Sequence, residues 1–129
     1  METIIAEKFE AVLSKNIENT RMKDYYDLYV FSTLKWNSVD KVLLKKAIYN
    51  TCNKRNSINY LNNSGEYISL VANDNKIKGL WERYQNNYSY AKNITFEDTI
   101  EAINKINDSL LESEWNCVHF SCILNIYLL

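Results

Sequence analysis

No proline occurs in the 129 residues, and only two glycines do, Gly65 and Gly79. The residues that break helices most strongly are therefore almost missing. An all-β chain of this length needs many tight turns, and glycine supplies most of those, so the deficit argues for an all-α domain. Histidine occurs once, at His119, and cysteine three times. Three cysteines cannot all pair and show no disulfide-framework spacing, which points to a reducing cytoplasm. There is no glycine-rich phosphate loop, no GxSxG and no HExxH, which excludes those signatures of mononucleotide, hydrolase and zinc-protease chemistry. No apolar run reaches the roughly 20 residues of a membrane-spanning helix, so no membrane partner is expected. "METIIAEKFE" places acidic residues where a secretory signal would be basic.

What is present suits one hydrophobic core. Hydrophobic residues make up 47% of the chain and charged residues 24%. The net charge of −1 is unevenly spread: residues 1–60 hold ten Lys and Arg against seven Asp and Glu, and residues 61–129 hold five against nine. A basic first half suits phosphate-bearing partners without requiring them.

Hydrophobic periodicity predicts a bundle of five to six helices. The first, over 2–16, repeats Ile5, Phe9, Val12 and Leu13. The second, over 21–36, is apolar or aromatic on nearly every side, which predicts a central position. A third follows Asn37-Ser38 as a cap, with a stripe of Val39, Val42, Leu43, Ala47 and Ile48. Residues 56–66, "NSINYLNNSGE", read as a loop. The run at 67–72 is either a short strand or the start of a helix. A helix over 74–88 carries Ile77, Leu80, Trp81 and Tyr84, read as core side chains rather than a stacking platform. The last, over 95–111, opens on Thr95 and Asp98 in a capping-box frame. The apolar tail 112–129 reads as a last buried element or an atypical C-terminus. Its Cys117, His119 and Cys122 supply at most three ligands with no second half, which argues against zinc and for a core histidine.

The candidate chemistry lies in "RMKDYYDLYVF" and the helix before it. Lys8 projects between Ile4 and Val12, inside the apolar arc of the first helix, while Glu7 and Glu10 lie to the other side. A lysine there either snorkels outward or meets an anion. Asp24 suits the first turn of the second helix, where negative charge is favoured. That does not account for Asp27, which shares its face at i+3, nor for Arg21 and Lys23, which sit at the wrong end of the dipole. Lys23 and Asp27 are spaced i,i+4 and can pair. Such a network is a structural clamp or the wall of an active site. The basic helix from Lys41 to Arg55 offers nucleic-acid binding as a weaker reading, since a solvated face explains it equally and the overall charge is −1.

The stretch "IIAEKFEAVLSKNIENTRMKDYYDLYVF" resembles a segment of the AbiEii/AbiGii family of bacterial nucleotidyltransferase toxins. The resemblance rests on Ala6, Glu7, Lys8, Phe9 and Ala11, followed by Arg21, Lys23, Asp24, Tyr25, Asp27 and Leu28. "KGLWERYQNNYSYAKNITFEDTIEAI" resembles the family's C-terminal region more loosely. The resemblance implies a nucleotidyltransferase fold followed by a helical domain, in a toxin of a toxin–antitoxin or abortive-infection system. It implies Mg²⁺ and a nucleoside triphosphate as cofactors of a complete member, and modification of the tRNA acceptor end. It gives Lys8 contact with the triphosphate and gives Asp24 the task of orienting that lysine or the reacting hydroxyl. Arg21, Lys23 and Asp27 support them.

The family's metal-binding carboxylates belong to an upstream Gly-Ser…Asp-x-Asp motif. Here Gly65 precedes Glu66, no Asp-x-Asp follows, and "NDN" at 73–75 lies downstream in another context. The expectation is therefore that residues 1–111 are the helical C-terminal part of such a toxin. They would hold no metal, and would be inactive without an N-terminal nucleotidyltransferase half, whether truncated or split from it. An antitoxin or a second copy is the other expected partner. The alternative is a stand-alone interaction or dimerisation module, which would expose apolar surface on its first two helices.

Overall fold

Every apolar residue of the first helix's inner face is buried. Helix α1 (Glu2–Lys15) turns Ile5, Ala6, Phe9, Val12 and Leu13 inward in the computed structural model, which describes residues 1–110. It packs chiefly on α3 (Lys41–Lys54) and α2 (Met22–Thr33), and also touches α4 (Ile58–Asn62) and α5 (Ser64–Ala72). Helix α6 (Asn75–Asn87) and α7, over 96–110, are the remaining α-helices among the described residues. Short 3₁₀ turns lie at Asn16–Glu18, Trp36–Ser38 and Ser89–Ala91. No strand occurs among the described residues. The expected tail element and the cysteine–histidine cluster of 112–129 lie outside them.

The all-α expectation holds, and several details are corrected. The central helix is α1, not α2. Helix α2 buries Met22, Tyr25 and Leu28, but its aromatic Tyr26, Tyr29 and Phe31 are only half-buried. Residues 56–66 are not a loop: they form α4 and the start of α5, and the strand alternative at 67–72 falls with them. The asparagines there face solvent, while Ser57 is buried, with its hydroxyl on the Cys52 carbonyl, and Leu61 and Ile68 enter the core. Burying those two side chains outweighs the weak local preference for a loop.

In α3 the stripe is rotated from the expected one. Leu44, Ile48 and Cys52 are buried at four-residue spacing, whereas Val42 and Leu43 are 71% and 50% exposed. The cap is Asp40, not Asn37-Ser38. Its carboxylate accepts from the backbone N–H groups of Val42 and Leu43 at 3.0 and 3.1 Å. Residues 36–38 are spent in a 3₁₀ turn, whose Trp36 ring lies 4.6 Å below the Lys41 ammonium and 5.3 Å from that of Lys105.

The capping box of α7 forms as expected. Thr95 N–H donates to Asp98 Oδ2 at 2.9 Å, and Asp98 N–H donates to Thr95 Oγ1 at 3.0 Å. Trp81 is fully buried and donates its indole N–H to the Ile94 carbonyl at 3.0 Å.

Candidate functional site

The geometry of the site begins at Asn16, which ends α1 with a φ of 37°. Asparagine tolerates this left-handed region because its short side chain bonds locally. Here Asn16 Nδ2 donates to the Leu13 carbonyl at 3.2 Å, and Asn16 Oδ1 accepts from the Ile17 N–H at 2.9 Å. Asn19 Oδ1 then accepts the Arg21 N–H at 3.0 Å and sets the entry to α2. Two tight polar turns thus fold α2 back along the Lys8 edge of α1.

All five sequence-predicted site residues meet there. Lys8 Nζ lies 2.9 Å from Asp27 Oδ2 and 3.3 Å from Asp24 Oδ1. Lys23 Nζ lies 2.9 Å from the same Asp27 oxygen, and Arg21 Nε lies 3.7 Å from Asp24 Oδ1. Lys8 does not snorkel away from the core. Most of its side chain is buried and its ammonium sits between the two carboxylates, while Arg21 and Lys23 stand mainly in solvent.

Partial burial pulls the Lys8 pKa down, but the hydrogen bonds and charges of Asp27 and Asp24 outweigh it, so the group titrates above the ordinary lysine value. Burial likewise opposes ionisation of Asp27, and Lys8 and Lys23 reverse it, holding that carboxyl below its usual range. The neighbouring Tyr25 is driven the other way, first by burial and then by Asp24 and Asp74, and stays a neutral phenol.

Lys8, Arg21 and Asp24 open onto a cleft of about 360 Å³ that also touches Glu7, Lys15 and Arg55. It lies on the outer face of α1, between the start of α2 and the end of α3. The donor set does not fit a divalent cation. Each carboxylate in the cluster already faces ammonium or guanidinium groups, and a metal would have to displace them. The same set suits an anion, because four of the named lining side chains are cationic and two are acidic.

One pair escaped the sequence reading. Glu10, expected at the solvent side, is buried, and its Oε2 accepts from Arg55 Nη1 at 2.7 Å. This pair fastens the end of α3 to the middle of α1 and brings Arg55 to the rim of the cleft. Glu10 follows Ala6 by four residues and precedes Leu13 by three. That spacing on the edge of the apolar arc was the available signal.

A family model described as "Nucleotidyl transferase AbiEii toxin, Type IV TA system" matches residues 1–102. The match takes in the whole Lys8–Asp24–Asp27 cluster and ends within α7. Searches of curated proteins and of solved structures returned no match.

Proposed function

The chain belongs to the AbiEii nucleotidyl transferase toxin family, and from that premise we propose that its cleft is the phosphate-binding wall of a nucleotidyl transfer site, completed by carboxylates from another segment or polypeptide. The observation that carries this reading is Lys8 held between Asp24 and Asp27 at the edge of a cationic cleft. An ammonium has three N–H donors, and the two carboxylates take two. The third is available to a phosphate oxygen. Phosphoryl-group transfer is catalysed mainly by positioning and by neutralising charge, and a lysine fixed by two packed helices supplies both. Asp24 and Asp27 orient that lysine, while Arg21 and Lys23 offset their charge.

The Mg²⁺ that family resemblance implies supplies charge neutralisation on the triphosphate. The carboxylates that hold it are not Asp24 and Asp27, which are engaged by cations. The chain by itself is therefore proposed to be inactive, and tRNA and a nucleoside triphosphate are substrates of the completed site. Membership of a Type IV toxin–antitoxin family brings an antitoxin as a further partner, in keeping with the cytoplasmic location expected from the cysteines. Among the described residues no helix is long and apolar enough to cross a membrane.

The test is reconstitution. The chain is incubated with Mg²⁺, labelled triphosphates and tRNA, with and without a polypeptide carrying a Gly-Ser…Asp-x-Asp segment. Transfer is expected only in the mixture, and Lys8→Met is expected to abolish it. Incorporation by the chain alone would overturn the inactivity, and a mixture indifferent to Lys8→Met would overturn the site.

One observation favours a second reading, an interaction module. Met1 and Ile4 at the start of α1 and Val42 and Leu43 on α3 are exposed, and Leu43 lines a shallow groove of about 300 Å³ with Thr3 and Ala47. This apolar surface extends from α1, as expected, onto α3, and Leu34 at the end of α2 is exposed as well. Size-exclusion chromatography across concentrations tests it, and a monomer at every concentration argues against self-association.

A further inference from the structure

Ten tyrosines occur in the chain, and four of them gather at one surface beside the ion cluster. Tyr26 comes from α2, Tyr84 from the last turn of α6, Tyr88 from the residue that caps it, and Tyr90 from the turn that follows. Ring centroids are 4.6 Å apart for Tyr26–Tyr90 and for Tyr84–Tyr88, and 5.4 Å for Tyr88–Tyr90. The hydroxyls of Tyr84 and Tyr90 meet at 2.7 Å. Trp81 stacks beneath Tyr84 at 5.3 Å and ties the group to the core. Tyr88 and Tyr90 remain 46% and 51% exposed.

We propose that this tyrosine face stacks an unpaired base of a single-stranded nucleic acid, with the adjoining phosphate on the Lys8–Lys23 side. Tyr88 and Tyr90 leave about half of their surface in water, although Trp81 already fills the core beside Tyr84 and core packing does not require them there. The rings are braced by one another, so ordering them costs little when a planar partner arrives. Stacking on aromatic side chains tolerates any base, because each has a π face.

Charge favours a polyanion over an apolar protein surface. Lys23 lies one turn before Tyr26 on α2 and is largely exposed. The cluster it joins holds three cations, Lys8, Arg21 and Lys23, against two carboxylates. Asp27, the acid closest to the tyrosines, is neutralised from two sides. The inference rests on the proposed function only in taking this cluster as the phosphate side.

Fluorescence anisotropy of the full chain with labelled 12-nucleotide single strands, one RNA and one DNA, tests it without Mg²⁺ or triphosphate. Single strands are expected to bind more tightly than the corresponding duplexes. Tyr88→Ala and Tyr90→Ala should each weaken binding about five- to tenfold. Tyr90→Phe, which keeps the ring and loses the hydroxyl contact, should bind like the parent. A preference between the RNA and DNA arms identifies the source of the base, and binding in either supports the proposal. Equal affinity for duplexes, alanine variants that bind unchanged, or no binding of either strand would overturn it. So would self-association that Tyr88→Ala abolishes, in the absence of binding to either strand. The outcome is separable from the reconstitution experiment, because stacking is read here without transfer.

Discussion

Lys8 and Asp27 face each other across the α1–α2 seam at 2.9 Å, nineteen positions apart in the chain. The pair joins the two helices that line one side of the cleft, so it serves the fold as well as the proposed chemistry. Both effects can be measured separately.

Replacing Lys8 by Met keeps the stem and removes the ammonium. Asp24 and Asp27 are then left partly buried with only Arg21 and Lys23 beside them. Unfolding in urea should show a loss of about 1–3 kcal/mol. A variant as stable as the parent would mean that the two carboxylates gain nothing from Lys8.

The pH dependence follows from the directions of the two shifts. The Asp27 carboxyl is held below its ordinary 3.8, so its contribution is present above that value and is lost as pH falls through the lower, folded-state value. The Lys8 ammonium is held above its ordinary 10.5, so its contribution is complete below 10.5 and is lost as pH rises through the higher one. Stability from this cluster is therefore flat between the two. In urea titrations, the gap between the parent and Asp27→Asn should close as pH drops below 3.8. A gap that widens there would contradict the assignment.

The Glu10–Arg55 pair is asymmetric: the Glu10 side chain is 5% exposed and that of Arg55 46%. Arg55→Ala leaves a carboxylate stranded in the interior, whereas Glu10→Gln releases the guanidinium to water. The first should cost about 1–2 kcal/mol, less than a fully buried pair because Arg55 is half solvated, and the second should cost less. Equal or reversed costs in denaturant melts would count against the pair as a fastening of α3 to α1.

Helix α3 offers a direct comparison of neighbours. Leu44→Ala removes a fully buried side chain and should cost about 2–5 kcal/mol. Leu43→Ala, at a half-exposed position, should change stability by no more than about 0.5 kcal/mol. Thermal unfolding of the two variants reads the orientation of the helix.

Much of the site was legible because its residues break local rules. A lysine inside an apolar arc, and basic residues at the positive end of a helix, call for partners that the chain must supply. Helical spacing named Lys23 with Asp27 by i,i+4, whereas Lys8 stayed open between snorkelling and an anionic partner, and only the resemblance linked it to Asp24. Glu10 was missed because an acid at the margin of an apolar stripe fits a solvated face as well as a buried pair. The tyrosine face was missed because its members come from three separate segments, and periodicity within any one of them describes only a core residue and its neighbours.

The fold class was settled by composition: without proline and with two glycines, a chain rich in helix formers has few ways to turn except between helices. The capping box at Thr95 and Asp98 was likewise a local matter, closed within four residues. Tertiary structure decided which leucine of α3 faces inward, that 56–66 is helical, and that α1 rather than α2 lies at the centre. Each of these turns on apolar area removed from water by contact with distant elements. That term is non-directional, and no window of neighbouring residues contains it.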